Sequence, residues 1–314
     1  MNKERSPGIA VMGAGAVGCY FGGMLARAGM SVTIIGRPQQ VDDINRQGLL
    51  LETLQFKERV AMSATVDPAA VKDAGLVLFC VKSIDTEEAA RAIAPHLARD
   101  AVVLSLQNGV DNVERMRVHI DKRLVPAVVY VAAAITAPGC VRHSGRGDLI
   151  IGELGPPAGL DDVRRKELDV IAAVFGRAGI PVQVSDNVEG ELWAKLVLNC
   201  AYNAISALTR SNYGRLLAMP RTRAIMRDVV DEIQQVAKAK GVRIPIDLEA
   251  VYKLADAMPA ATSSTAQDIA RGKPTEIDHL NGTIAREGDR LGVPTPVNRT
   301  LHALVKLLEE SSRA

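Results

Sequence analysis

Aromatic residues make up only 3% of the 314-residue chain, and a net charge of +2 leaves no broad basic field. Without stacking platforms or a cationic surface, nucleic acid is not indicated as a partner. Cysteine is scarce as well. Cys19, Cys80, Cys140 and Cys200 are scattered, with no Cys-x-x-Cys pair and no Cys/His cluster. They read as buried free thiols of a reducing compartment. The five histidines show no metal-ligand spacing, so no metal is expected. An apolar leader is missing too, because Met1 to Ser6 is polar. The longest apolar stretch, Leu124 to Val141, is broken by Pro126, Pro138 and Gly139 and reads as a buried strand plus a turn, not a membrane span. These absences leave a soluble, cytoplasmic protein with room for two domains, each with its own core.

What is present begins with Ile9-Ala10-Val11-Met12-Gly13-Ala14-Gly15-Ala16-Val17-Gly18, an apolar run followed at once by G-x-G-x-x-G. Cys19 to Ala28 has helical composition, Gly29 can stop a helix, and Ser31 to Ile35 completes β-α-β. Gly13 permits the tight turn, and Gly15 has no Cβ to block a pyrophosphate. Gly18 lets the helix pack close to the strand, and the helix N-terminus offers N–H groups to phosphates. An NAD site usually carries Asp or Glu about 20 residues past the glycines, to accept from the ribose 2′-OH. Here that place reads Ile35-Gly36-Arg37-Pro38, with no carboxylate before Asp42. A guanidinium binds a 2′-phosphate that a carboxylate would repel, which favours NADP(H) with Arg37 as the clamp.

Further along, Val41–Gln47 reads as a short helix, and Leu49–Leu54 and Arg59–Ala64 as strands. Leu76–Val81 is a continuous apolar run, as expected of a strand covered on both faces, with Ala101–Leu106 as the next buried strand and Leu124–Ala133 as a further one. Helical segments, Thr86–Leu97 and Asn112–His119, separate them, which implies a doubly wound parallel sheet. Gly139–Glu153 suggests an added hairpin, Asp161–Ala178 an amphipathic helix and Pro181–Ser185 a last strand. From Asp186 onward only helices are expected: Val188–Thr209, Arg221–Lys240, Asp247–Ala257, Thr265–Arg271, Thr275–Leu291 and Val297–Glu310. The boundary is placed near residue 186, giving domains 1–186 and 187–314.

In such sheets ligands lie beyond the carboxyl ends of the strands. Lys82 falls there after the Leu76–Val81 strand, and Gln107-Asn108-Gly109 after the Ala101–Leu106 strand. Asn108 beside a glycine also suits a plain turn. The helix from Val188 carries Lys195, Asn199 and Asn203 at i, i+4, i+8. These drift only about 40° around the axis and rise roughly 12 Å along one face. Two mid-helix asparagines are locally unfavourable, and a rule broken twice on one stripe suggests a site. The alternative is a polar face open to water. Ser264 with Gln267 three residues on has the form of a capping box, and Glu276 falls in the first turn of its helix, where an acid is favourable anyway.

Taken together, these segments resemble the ketopantoate reductase (2-dehydropantoate 2-reductase) family. The resemblance rests on the glycine loop, Arg37, Val81-Lys82 and Gln107-Asn108-Gly109. It rests more on Lys195-Leu196-x-x-Asn199-x-x-x-Asn203, Ser263-Ser264-x-x-Gln267-Asp268 and Thr275-Glu276-Ile277-Asp278-x-x-Asn281-Gly282, which are more specific. It implies a Rossmann domain followed by an all-helical domain. The implied activity is NADPH-dependent reduction of a 2-oxo acid, ketopantoate becoming pantoate for pantothenate and coenzyme A biosynthesis. By the same resemblance Lys195 would protonate the carbonyl oxygen, while Glu276 would bind the substrate hydroxyl and help hold Lys195. Asn199, Asn203 and Ser264 would position the substrate. Asn108 and Lys82 would line the cofactor or substrate side, and are grouped with Gly13, Gly15, Gly18 and Arg37 as cofactor contacts. A lysine supplies both cation and proton to a developing alkoxide. Its reference pKa of about 10.4 falls on burial, which a neighbouring carboxylate opposes.

Two positions depart from the family pattern: Ala261, where many members carry Asn, and Thr265, where Met is common. They leave open a different branched 2-oxo acid, and a non-catalytic NADP(H)-binding sensor is the alternative from another class. A dehydrogenase of the wider helical-domain superfamily would also use a lysine and an asparagine, but it fits the serine pair and T-E-I-D less well. Ala- and Leu-rich helices could close a homodimer, though the same composition serves a monomer's core.

Overall fold

The computed structural model describes residues 8–155 and 161–312, so the polar stretch Met1–Ser6 lies outside the described residues. The chain falls into two compact units, Met1–Gln107 with Asp111–Val188, and Asn108–Val110 with Glu189–Ala314.

The first unit is built on a ten-stranded sheet. Its strands are β1 (Gly8–Met12), β2 (Val32–Ile35), β3 (Leu49–Glu52), β4 (Lys57–Val60), β5 (Ser63–Thr65), β6 (Ala74–Phe79), β7 (Val102–Ser105), β8 (Arg123–Ala137), β9 (Cys140–Ile151) and β10 (Val182–Val184). They lie in the order β4-β3-β9-β8-β7-β6-β1-β2-β5, with β10 also on β9. From β8 through β7, β6, β1 and β2 to β5 every pairing is parallel. Beyond β8 the sheet becomes mixed, since β9 runs antiparallel to β8 and β4 antiparallel to β3; the hairpin expected within Gly139–Glu153 is instead one strand, β9, that pairs along its length with β8. Arg59–Ala64, expected as one strand, is two. Its first half pairs with β3 and its second half with β2, across a break at Ala61 and Met62.

The apolar runs are explained by burial on both faces. Ile9 and Val11, Leu76 and Leu78, and Leu104 enter one core with Cys19, Phe21 and Leu25 of α1 (Ala16–Arg27). Ala10, Val77, Phe79 and Val103 enter the other, with Ala89, Ala90 and Ile93 of α3 (Thr86–Ile93) and Val113 and Met116 of α4 (Asn112–Arg117). Period-two alternation with no polar face is what two helical layers impose. Helix α2 (Pro38–Gln47) starts three residues before its expected start, at a proline whose φ suits the first turn. Leu168, Ile171 and Phe175 of α5 (Asp162–Arg177) pack on the first face. Three of the thiols are buried and Cys140 is half-buried. Burial pushes the Cys19 thiol up to about 12 and that of Cys80 higher still, which keeps both inert.

The second unit is helical and contains no strand among its described residues. Its centre is α6 (Val188–Thr209), apolar on nearly every side, with Trp193, Leu196, Val197, Cys200 and Tyr202 in the core. Packed around it are α7 (Tyr213–Ala218), α8 (Pro220–Lys240), α9 (Leu248–Ala257), α10 (Ser264–Ala270), α11 (Asn281–Leu291) and α12 (Pro296–Ser311). Gly241 and Gly292 end α8 and α11 in the left-handed conformation, where a Cβ would be strained. Helix α7 was not expected, being six residues long and without a full apolar period. The expected helix Thr275–Leu291 is broken into a 3-10 turn at Ile277–His279 and α11, with Leu280 at φ −112° and ψ −106° between them. Side-chain tethers to other helices, described below, override the local helical preference there.

Candidate active site

In the first unit the glycine loop has the shape that a dinucleotide diphosphate requires. Gly13 has φ +114°, and a Cβ on it would lie 2.8 Å from the backbone of Cys80 and Val81 at the end of β6. A Cβ on Gly18 would come 2.0 Å from the carbonyl oxygen of Gly13. On Gly15 it would meet nothing within 4 Å, so the loop is open on that side. Gly15 is the N-cap of α1, whose first turn has neither a side-chain cap nor an acidic residue. Its N–H groups and partial positive charge therefore suit an anion. Gly36 is a further constraint that the glycine spacing does not carry, since a Cβ there would be 2.4 Å from that of Ala14 in the loop. Arg37 follows, exposed at the N-cap of α2 and with no carboxylate partner among the described residues.

Lys82 is half-buried after β6 and opens a 3-10 turn at Ser83–Asp85. That turn is fixed from below by buried amides and hydroxyls. Gln107 Nε2 donates to the Val81 carbonyl (3.2 Å) and to Thr86 Oγ1 (2.8 Å), while Ser105 Oγ donates to Gln107 Oε1 (3.1 Å). Thr86 Oγ1 donates to Asn112 Oδ1 (3.1 Å), and Asn112 Nδ2 donates to Ser83 Oγ (3.4 Å). Gln107 thus joins the ends of β6 and β7 through hydrogen bonds to both.

In the second unit the stripe on α6 does not face water. Asn203 is 2% exposed, and Lys195 and Asn199 are half-buried. Lys195 Nζ donates to Asn108 Oδ1 at 2.8 Å, and Asn108 Nδ2 donates to Glu276 Oε2 at 2.9 Å. One amide therefore links the ammonium and the carboxylate through its two ends. Asn108 also precedes Gly109, at φ +98°, so the plain-turn reading holds for the backbone while the side chain does more. Eight residues along α6 from Lys195, Asn203 Nδ2 donates to Ser264 Oγ at 3.4 Å. The cap of α10 is Ser263, not Ser264. Its Oγ accepts from Ala266 N (3.1 Å) and donates to the Asn203 carbonyl (3.2 Å), and its own N–H reaches Ser206 Oγ (3.3 Å). A capping residue tied to α6 at two points leaves Ser264 exposed at the first helical position, beside Asn203. The amide of Asn199 has no partner among the described residues. Glu276 sits before the 3-10 turn instead of inside a helical first turn, which frees its side chain from a capping role.

The model of the family described as ketopantoate reductase PanE/ApbA matches residues 9–156, and that of its C-terminal region matches residues 187–309. The chain belongs to the ketopantoate reductase family. A 2-dehydropantoate 2-reductase of Pyrococcus horikoshii is 34% identical over 302 residues, covering 96% of this chain and 97% of that one. One from Vibrio cholerae is 31% identical, covering 96% and 98%. Among solved structures, a PanE/ApbA family ketopantoate reductase from Ralstonia eutropha is 54% identical, with a TM-score of 0.90 and coverage of 98% and 99%. A D-mandelate dehydrogenase in complex with NADH is 25% identical, with a TM-score of 0.86 and coverage of 97% and 99%. Membership makes the chain an oxidoreductase of the 2-dehydropantoate 2-reductase type, acting on CH–OH groups with a nicotinamide cofactor and a small-molecule substrate. No described helix is long and apolar enough to cross a membrane.

Proposed function

We propose that this ketopantoate reductase family member reduces 2-dehydropantoate to pantoate with NADPH as the hydride source. The carrying observation is the line Lys195–Asn108–Glu276, which keeps a proton donor and a carboxylate at the two ends of one amide. Lys195 is then the group that gives its proton to the carbonyl oxygen as hydride reaches the carbonyl carbon, so that C=O becomes CH–OH. Its positive charge offsets the charge developing on that oxygen. Glu276 accepts a hydrogen bond from the substrate hydroxyl and, through Asn108, restrains the lysine. Asn199, Asn203 and Ser264 supply the amide and hydroxyl groups that orient a 2-oxo acid. In this reading the first unit holds the cofactor, with Gly13, Gly15 and Gly18 at the diphosphate, Arg37 at the 2′-phosphate and Lys82 on the same side. When bound, the nicotinamide supplies the hydride. The relatives named 2-dehydropantoate 2-reductase support the substrate, and pantothenate biosynthesis in the cytoplasm is the setting this implies.

A second reading, reduction of another branched 2-oxo acid, is favoured by Ala261 at a position where a substrate-facing amide is absent. Both are tested by following NADPH oxidation with ketopantoate and a panel of 2-oxo acids, for wild type and Lys195→Ala. The expected result is turnover of ketopantoate that drops roughly 10³-fold in the variant. Turnover of a different acid alone transfers the assignment to that acid. Tight NADPH binding without turnover of any acid overturns the enzymatic reading in favour of a binding protein.

A further inference from the structure

Glu276 reaches Asn108 from a stretch that is neither regular helix nor simple loop, yet the residues on both sides of it are held by one helix. The N–H of Thr275 donates to Glu309 Oε1 at 2.7 Å, and Glu309 is only 5% exposed. Asp278 Oδ1 pairs with His302 Nε2 at 2.6 Å, and its Oδ2 accepts from Lys306 Nζ at 2.8 Å. Lys306 also reaches Glu309 at 3.0 Å, which closes the set. His302, Lys306 and Glu309 fall at i, i+4, i+7, one face of α12. Between the two tethers, Ile277 is fully buried in the core of the second unit.

The frame behind them is firm. The first turn of α12 rests on the buried Glu232 of α8, which accepts from Val297 N (2.8 Å) and Asn298 N (2.9 Å). Asn281 Nδ2 donates to the Cys200 carbonyl of α6 (3.3 Å) and to Asn298 Oδ1 (2.9 Å), tying the same segment to the helix that carries Lys195. A Cβ on Gly282 would stand 3.0 Å from the His302 ring, so any side chain there would have to push the ring aside. The hydrogen bond from His302 and the Lys306 ammonium hold the Asp278 carboxyl below the usual carboxylate range.

We propose that Asp278, His302, Lys306 and Glu309 form a positioning set whose task is to fix the carboxylate of Glu276 on Asn108. This rests on the reading of Lys195 and Glu276 given above. None of the four need touch substrate or cofactor. A carboxylate displaced by about 1 Å loses on the order of a hundredfold in rate.

The test is a double-mutant cycle in the full chain, with kcat and KM for ketopantoate and for NADPH, and melting temperatures recorded throughout. Asp278→Ala is expected to lower kcat/KM for ketopantoate about 10- to 100-fold, leave KM for NADPH within about twofold, and do little more when added to Glu276→Gln. Lys306→Met is expected to show the same defect and Lys306→Arg, which keeps the ion pair, to remove most of it. If Asp278→Ala costs the same factor in the Glu276→Gln background as in wild type, the four residues do not act through Glu276. That conclusion also follows if Lys306→Met and Asp278→Ala both keep wild-type kcat/KM while Glu276→Gln is impaired. Should Glu276→Gln itself keep full activity, the role of Glu276 falls, and this proposal with it.

Discussion

Replacing Asn108 by aspartate changes one NH2 group into an oxygen and leaves the side-chain shape intact. In wild type that NH2 donates to Glu276 at 2.9 Å, and the opposite oxygen accepts from Lys195 at 2.8 Å. In Asn108→Asp two carboxylate oxygens face each other at about the same separation. A hydrogen bond to a charged acceptor, worth about 1.5–3 kcal/mol, is lost. The like charges add a repulsion of a few kcal/mol at an effective dielectric near 20, which the pair relieves by taking up a proton. Lys195 meanwhile gains an anionic partner and becomes a poorer proton donor. A net penalty of about 3 kcal/mol corresponds to roughly a hundredfold in kcat. The assay is kcat for ketopantoate against pH for wild type, Asn108→Asp and Asn108→Ala. We expect Asn108→Asp to be strongly impaired above neutrality and to recover part of its activity as the pH falls, because the protonated pair regains a donor. Asn108→Ala has no such proton to gain and should not recover. Wild-type kcat in Asn108→Asp at alkaline pH, or a deficit matching that of Asn108→Ala at every pH, would refute the bridging role.

Other consequences are open to measurement. Arg37→Ala should raise KM for NADPH about 10- to 100-fold while leaving KM for NADH unchanged, since only the phosphate contact is lost; equal changes for both cofactors would remove Arg37 from the 2′-phosphate. Gly36→Ala drives a methyl to 2.4 Å from Ala14 and should weaken cofactor binding through the displaced loop while the helical unit melts as before. Asp278 and Glu309 are both held below their ordinary range when folded, Asp278 chiefly by the hydrogen bond from His302, and Glu309, which burial alone would push up, by the hydrogen bonds from Thr275 and Lys306 together. Groups lowered in this way stabilise the fold above their unfolded pKa, near 4, and that contribution is lost as the pH falls through the folded value. With the Asp278 side chain 39% exposed, its share is on the order of 1 kcal/mol. The melting temperature should accordingly fall by a few degrees more between pH 5 and 3 in wild type than in Asp278→Asn, as read by circular dichroism; identical slopes would contradict it.

Much of the architecture was legible because local rules and global packing agree. Strands β1 and β6 read as unbroken apolar runs since both faces of the parallel sheet are covered. Gly241 and Gly292 end α8 and α11 directly after the expected bounds Lys240 and Leu291. Sequence and structure part where a distant partner decides. Arg59–Ala64 has the composition of one strand, but its halves pair with different neighbours, and no period in the sequence encodes that. The Ser-x-x-Gln pattern points to Ser264 as the cap of α10, whereas Ser263 takes that place through its additional bonds to α6.

The residue types needed for the chemistry, a lysine and two asparagines on one helical face and an acid in Thr275-Glu276-Ile277-Asp278, are fixed by spacing along single segments. Spacing reports only neighbours within a few turns. The tertiary structure alone decided that Asn108, 87 residues before Lys195 and 168 before Glu276, joins the two. It alone decided that α12 grips the chain on both sides of Glu276. Those contacts join segments far apart in the chain, and they exist only once the helices have packed.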